Sequence, residues 1–155
     1  MYKKILIPTD GSPLSTASAH AGIEFARELG AEVMSLHVAP VYQFLVYAEV
    51  IPPNYPSQES HNAEMLRIGG MYLGEIEREA ATAGVKYSGR TVISDQPAQV
   101  VVAEAEQQHC DLIFMGSHGR SGLQRLLLGS VTSRVLALSD IPVLVYRIKQ
   151  QPGAA

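Results

Sequence analysis

Leu112-Ile113-Phe114-Met115-Gly116-Ser117-His118-Gly119-Arg120 runs on through nine residues after Gly119 to Gly129-Ser130-Val131. The first four residues form a continuous apolar run, as expected of a strand buried on both faces. The glycines that follow let backbone N–H groups come close to an anion. From Val131 to Leu138 the sequence is compatible with a helix, whose first turn has unpaired donors and the positive end of a dipole. Strand, glycine-rich loop and helix start together suit the binding of a phosphate chain.

Working outward, Ile5 to Pro8 is a second short apolar run, ending in Thr9-Asp10-Gly11-Ser12-Pro13. Ser12 followed by Pro13 predicts a helix start, cap then first-turn proline. Leu14, Ala17, Ala21, Phe25 and Leu29 recur at helical steps, and Gly30 supplies the stop. Glu32 to Val38 reads as the next strand. Pro40 to Gln58, with Pro52, Pro53 and Pro56, reads as an irregular loop. A helix is expected from about Glu59 to Ala83, ended by Gly84. Within it Gly69, Gly70 and Gly74 suggest close packing against the sheet or a kink, with a ligand-coupled hinge as the alternative. Val85 to Ile93 alternates as an edge strand does. Asp95 with Pro97 opens a helix that buries Val100, Val101 and Ala105 and ends near His109, a residue type that tolerates positive φ better than most. Ser130 caps a last helix running to Leu138, and Ile141 to Tyr146 forms the final strand.

Strand and helix thus alternate along the whole chain. This predicts an α/β fold: a five-stranded parallel doubly wound sheet, order 3-2-1-4-5, helices on both faces, Rossmann-like. In that order the first and fourth strands are neighbours where the winding reverses. Their C-terminal ends carry Thr9-Asp10 and Met115-Gly116, and ligands of open α/β sheets bind in that crevice. One domain over residues 1–148 is expected, with 149–155 a disordered tail.

The formal charge of the 155 residues is −3, which implies no general surface for nucleic acid. Yet Leu112 to Ser139 holds no Asp or Glu and contains Arg120, Arg125 and Arg134, the signature of one discrete anion site. No apolar run reaches membrane-spanning length, and the N-terminal run is too short for a signal-peptide core. Cys110 is the single cysteine, so no intrachain disulfide can form. A cytoplasmic protein with no membrane association is the expectation. His109-Cys110 reads as a helix terminus rather than a catalytic pair. Paired metal-ligand spacings, the P-loop, the dinucleotide fingerprint and the hydrolase elbow are all absent.

Gly116-x-x-Gly119, nine residues, Gly129-Ser130 matches the ATP-binding signature of the universal stress protein family. The chain resembles that family's nucleotide-binding branch over nearly its whole length. The resemblance also includes Lys4-Ile5-Leu6-Ile7-Pro8-Thr9-Asp10-Gly11-Ser12, Leu36-His37-Val38 and Pro142-Val143-Leu144-Val145. It implies an adenine-nucleotide pocket. Asp10 would bind the ribose, beside Pro8 and Thr9. The backbone of Val38 would hold the adenine edge, and Gly116 would lie near the ribose. Gly119, Gly129, Ser130 and Val131 would surround the phosphates, and Met115, Ser117, His118 and Arg120 complete the candidate set. The resemblance further implies ATP with Mg²⁺ or Mn²⁺ carried on the phosphates, no metal ligand from the protein, and a homodimer through Ile141 to Arg147. The function implied is stress-response regulation by nucleotide-dependent conformation or partner choice, with the Pro40 to Gln58 loop as a candidate lid. A slow ATPase or phosphotransferase, and a nucleotide-independent dimeric scaffold, are the alternatives. No catalytic residue is assigned.

Overall fold

In the chain order β1 (Lys4–Thr9), α1 (Pro13–Leu29), β2 (Glu32–Ala39), α2 (Gln58–Ala83), β3 (Tyr87–Ile93), α3 (Pro97–Gln107), β4 (Leu112–Gly116), α4 (Ser130–Leu138) and β5 (Val143–Tyr146), strands and helices alternate throughout. The computed structural model describes residues 1–44, 52–118 and 128–148. All strand pairings are parallel and the sheet order is β3-β2-β1-β4-β5, as the alternation predicts. Gly119, Arg120, Arg125, part of the Pro40 to Gln58 loop and the tail 149–155 lie outside the described residues.

The strand alternation splits the core into two layers. Ile5, Ile7, Val33 and Phe114 pack with Ile23 of α1 and Ile76 of α2 on one face. On the other face, Leu6, Met34, Leu36, Ile113 and Met115 pack with Val101 of α3 and Val135 of α4. Each central strand is therefore apolar on both sides, which is why Ile5-Leu6-Ile7 and Leu112-Ile113-Phe114-Met115 are unbroken apolar runs.

Helix ends follow their local chemistry. Ser12 Oγ accepts from the Ser15 N–H at 3.2 Å, Pro13 occupies the first turn, and Gly30 closes α1 at φ +65°. Ser57 caps α2 in the same way, and Gly84 ends it at φ +70°.

Five local expectations are corrected. The buried face of α1 is Ser15, Ser18, Ala19, Gly22, Ile23 and Ala26, while Leu14, Ala21, Phe25 and Leu29 lie at its margin and Ala17 is exposed. Small residues let this helix sit close to the sheet: a Cβ on Gly22 would be 2.7 Å from Ile7 Cδ1. The third strand begins at Tyr87, because Val85 N–H bonds to the Ala80 carbonyl as part of the helix end. α3 is preceded by Gln96, whose own N–H is held by Ser94 Oγ, so Asp95 supplies no cap. Ser130 is the first helical residue of α4, and its cap is Gly129. The last strand begins at Val143, since Ile141 N–H is taken by Ser139 Oγ and Pro142 has none to offer. The glycines of α2 divide: Gly69 packs tightly against the sheet, and Gly70 and Gly74 face open space.

Candidate functional site

β1 and β4 pair directly, and their outer neighbours lie in opposite directions. Beyond their C-terminal ends a crevice with about 170 Å³ of enclosed space opens to solvent.

One wall is the turn that leaves β1. Asp10 Oδ1 accepts from the Ser12 N–H at 2.9 Å, and Thr9 Oγ1 accepts from the Gly11 N–H at 3.2 Å. Ser15 Oγ donates to Thr9 Oγ1 at 3.0 Å and accepts from the Asp10 N–H at 3.2 Å. Gly11 adopts φ +74°, the left-handed conformation that suits glycine. Every short side chain between Thr9 and Ser15 other than the proline-leucine step thus fixes the turn, and the Asp10 carboxylate is part of the crevice lining.

The facing wall joins the end of β4 to the start of α4. Gly129 N–H donates to the Ser117 carbonyl at 2.8 Å, and Ser117 N–H donates to the Tyr146 carbonyl at 3.0 Å. Thr132 Oγ1 donates to the Gly116 carbonyl at 3.0 Å, tying the first turn of α4 to the strand. Gly129 has no side chain with which to cap the helix, and Ser130, Val131 and Thr132 of its first turn line the crevice. Gly116 sits close to its surroundings: a Cβ there would be 3.3 Å from the His118 carbonyl. His118 Nδ1 lies 3.1 Å from Ser117 Oγ, while its Nε2 is buried without a hydrogen-bond partner among the described residues.

Apolar side chains complete the lining. Leu36 and Val38 of β2 alternate onto the α3 side, where Pro97 and Val101 meet them, and Met115 forms the floor. Of the residues expected from sequence, Pro8, Thr9, Asp10, Val38, Met115, Gly116, His118, Gly129, Ser130 and Val131 come together here. Ser117 is not part of the lining; its role is to hold β4, α4 and the His118 ring in place. Ser15, Leu36, Pro97, Val101 and Thr132 also line the crevice, outside the candidate set drawn from sequence. Leu36 is accessible from sequence, as the residue two before Val38 on the same face of a strand. Pro97 and Val101 are not, because only the packing of α3 over β2 brings them in.

Outside the crevice, His109 has φ +55°, as expected for a helix stop, and Cys110 is buried next to it. Burial pushes the Cys110 thiol up to about 11, away from the thiolate a nucleophile requires. His37, read in sequence as a strand residue, places Nδ1 2.9 Å from the Thr9 carbonyl. Among the described residues no group of three or more His, Cys, Asp or Glu side chains could hold a metal ion, and no helix is long and apolar enough to cross a membrane.

Residues 1–147 match the profile of the Universal stress protein family. The chain is 37% identical to Universal stress protein MJ0531 of Methanocaldococcus jannaschii over 95% of its length and 83% of that protein. It is 34% identical to Universal stress protein YxiE of Bacillus subtilis, covering 95% of this chain and all (100%) of that protein. The solved structure of MJ0577, also from Methanocaldococcus jannaschii, superposes with a TM-score of 0.80 at 31% identity, covering 97% of this chain and 99% of that one. A universal stress protein in complex with cAMP has a TM-score of 0.66 at 24% identity, over 94% and 97% of the two chains. One from Archaeoglobus fulgidus in complex with dAMP has a TM-score of 0.58 at 18% identity, over 93% and 97%.

Proposed function

This chain belongs to the universal stress protein family, and from that membership together with the crevice we propose that it is a regulatory protein that holds an adenine nucleotide, ATP in the first place, between β1 and β4. The observation that carries the reading is the opposition of the Asp10 turn to the uncapped start of α4 across one cleft. A carboxylate accepts hydrogen bonds from ribose hydroxyls. Backbone N–H groups at a helix start suit phosphate, each charge-assisted bond being worth about 1.5–3 kcal/mol. Leu36, Val38 and Val101 offer an apolar slot of the kind a purine fills, with the Val38 backbone at its edge. Complexes of more distant universal stress proteins with cAMP and dAMP are consistent with an adenine nucleotide as the ligand class.

In this reading Gly116 lies beside the ribose and Gly119, Gly129, Ser130 and Val131 surround the phosphates. His118 presents its unpaired Nε2 to them, Arg120 is a further phosphate candidate, and Mg²⁺ or Mn²⁺ arrives on the phosphates. The nucleotide acts as a signal, altering the shape of the protein or its choice of partner, and the functional unit is a homodimer formed through the last strand.

Calorimetric titration of verified nucleotide-free protein with Mg-ATP tests the proposal. Saturable binding near one per chain is expected. Gly129→Val should abolish it while the circular dichroism spectrum is unchanged, because a branched side chain at the cap fills the space of the phosphate. Retained affinity in the folded variant would overturn the phosphate placement. No binding by the wild type would leave the dimeric scaffold as the better reading. Turnover that disappears with Gly129→Val would instead make the protein an ATPase.

A further inference from the structure

The carboxylate turn is held from behind as well as by its own hydrogen bonds. His37, 5% exposed near the end of β2, lies opposite Thr9 in the β1–β2 register. A carbonyl oxygen can only accept, so the 2.9 Å contact from His37 Nδ1 to the Thr9 carbonyl places the proton on Nδ1. The peptide whose oxygen is fixed in this way is the one that carries the Asp10 N–H.

Two residues of α2, one turn apart, clamp that imidazole. Tyr72 meets it edge to face, with ring centroids 5.2 Å apart and an interplanar angle of 81°. Gly69 also lies against it: a Cβ there would be 3.0 Å from His37 Cδ2 and 2.2 Å from Thr91 Oγ1. The Tyr72 ring also covers Gly11, where a Cβ would be 2.3 Å from Tyr72 Cζ. One aromatic side chain therefore packs on both the residue after Asp10 and the histidine that holds the residue before it. In the first turn of α2, His61 Nε2 contacts the Pro40 carbonyl at 3.1 Å, and the Tyr42 ring packs against His61. The helix thus connects the segment after β2 to the turn after β1.

We propose that His37 and Tyr72 are positioning residues for ribose recognition, holding the Thr9–Asp10–Gly11 turn so that the Asp10 carboxylate meets the sugar hydroxyls. The inference rests on the nucleotide reading above. It extends that reading to two residues that do not line the crevice. The turn's own bonds among Thr9, Asp10, Gly11, Ser12 and Ser15 set its local shape. His37 and Tyr72 fix its position relative to β2, from which the adenine slot is built.

The test compares Mg-ATP with Mg-2′,3′-dideoxy-ATP, which lacks both hydroxyls, in wild type, His37→Leu, His37→Asn, Tyr72→Ala and Tyr72→Phe. Wild type should prefer ATP. His37→Leu and Tyr72→Ala should weaken ATP by about tenfold while dideoxy-ATP changes little, so that the affinity ratio collapses toward one. His37→Asn, which keeps an N–H near the position of Nδ1, and Tyr72→Phe, which keeps the ring, should largely preserve the ratio. A merely structural loss would weaken both nucleotides alike, and that result, or an unchanged ratio in folded His37→Leu and Tyr72→Ala, would overturn the inference. Amide hydrogen exchange without nucleotide supplies a second readout. Gly11 and Ser12 should exchange faster in His37→Leu and Tyr72→Ala, and unchanged exchange in both would refute the positioning role. If wild type fails to bind Mg-ATP while exchange still accelerates, the nucleotide reading fails and the mechanical coupling stands.

Discussion

Gly11 and Gly30 have nearly the same backbone, φ +74° and +65°, yet their surroundings differ. A methyl group at Gly30 would meet nothing within 4 Å, whereas at Gly11 it would run into the Tyr72 ring. Gly30→Ala therefore carries only the left-handed penalty, about 1 kcal/mol. Gly11→Ala carries that penalty and the displacement of a packed aromatic ring, for a total of about 2–4 kcal/mol. Urea unfolding of the two variants should separate them in this order; equal losses would mean that Tyr72 moves aside freely. Gly11 is legible in the sequence only in part. Thr9-Asp10-Gly11-Ser12-Pro13 announces a turn and a helix start, but no pattern in the sequence says that Tyr72 lies over the glycine. The same limit governs the crevice. Asp10, Gly116 and Gly129 stand at loop positions whose chemistry is local, so sequence can nominate them. Ser15, Pro97, Val101 and Thr132 face the cleft because of how helices lie on the sheet, a property of packing rather than of any short motif.

At the scale of the element, α2 is a 26-residue helix with glycines that do opposite work. Gly69 is buried where α2 crosses β3 and β2, with Thr91 and His37 pressed against it. Gly70 is exposed, and a Cβ there would meet nothing within 4 Å. Gly70→Ala should stabilise the protein by about 0.5–1 kcal/mol, through helix propensity and lost freedom in the unfolded chain. Gly69→Ala should destabilise it by about 1–3 kcal/mol, because threonine is short and cannot swing away as a long side chain could. Adjacent substitutions of the same kind thus take opposite signs, which thermal unfolding can check directly. A stabilising Gly69→Ala would show that α2 is free to lift from the sheet. Both limits of α1 and the end of α2 are the legible part of the fold, since Ser12 with Pro13, Gly30 and Gly84 are terminal signals whose physics is confined to one turn. Strand limits are less so. Val85 and Ile141 have strand-forming side chains, but their N–H groups are already committed, to the Ala80 carbonyl and to Ser139 Oγ.

At the scale of the whole molecule, the sheet has two edges, β3 and β5, and they are built differently. β3 carries exposed Ser88, Gly89 and Arg90, while β5 is Val143-Leu144-Val145-Tyr146. The Pro142 and Tyr146 carbonyls both accept from β4, so backbone alternation turns the N–H and C=O groups of Val143 and Val145 outward. Leu128, Leu136, Leu138 and Tyr146 are exposed in the same C-terminal part of the chain. Among the described residues no strand pairs with that side of β5; such an apolar edge is a template for another strand, and a two-fold axis lets β5 pair with its own copy in antiparallel sense. Val145→Pro deletes one outward N–H without touching any bond to β4. In sedimentation velocity at micromolar concentration the wild type should run as a dimer and Val145→Pro as a folded monomer. A wild-type monomer would overturn the assembly outright, and a dimeric Val145→Pro would move the interface away from this edge. If nucleotide binding survives in the monomer, each crevice is complete within one chain. Its loss there would make the second copy part of the site.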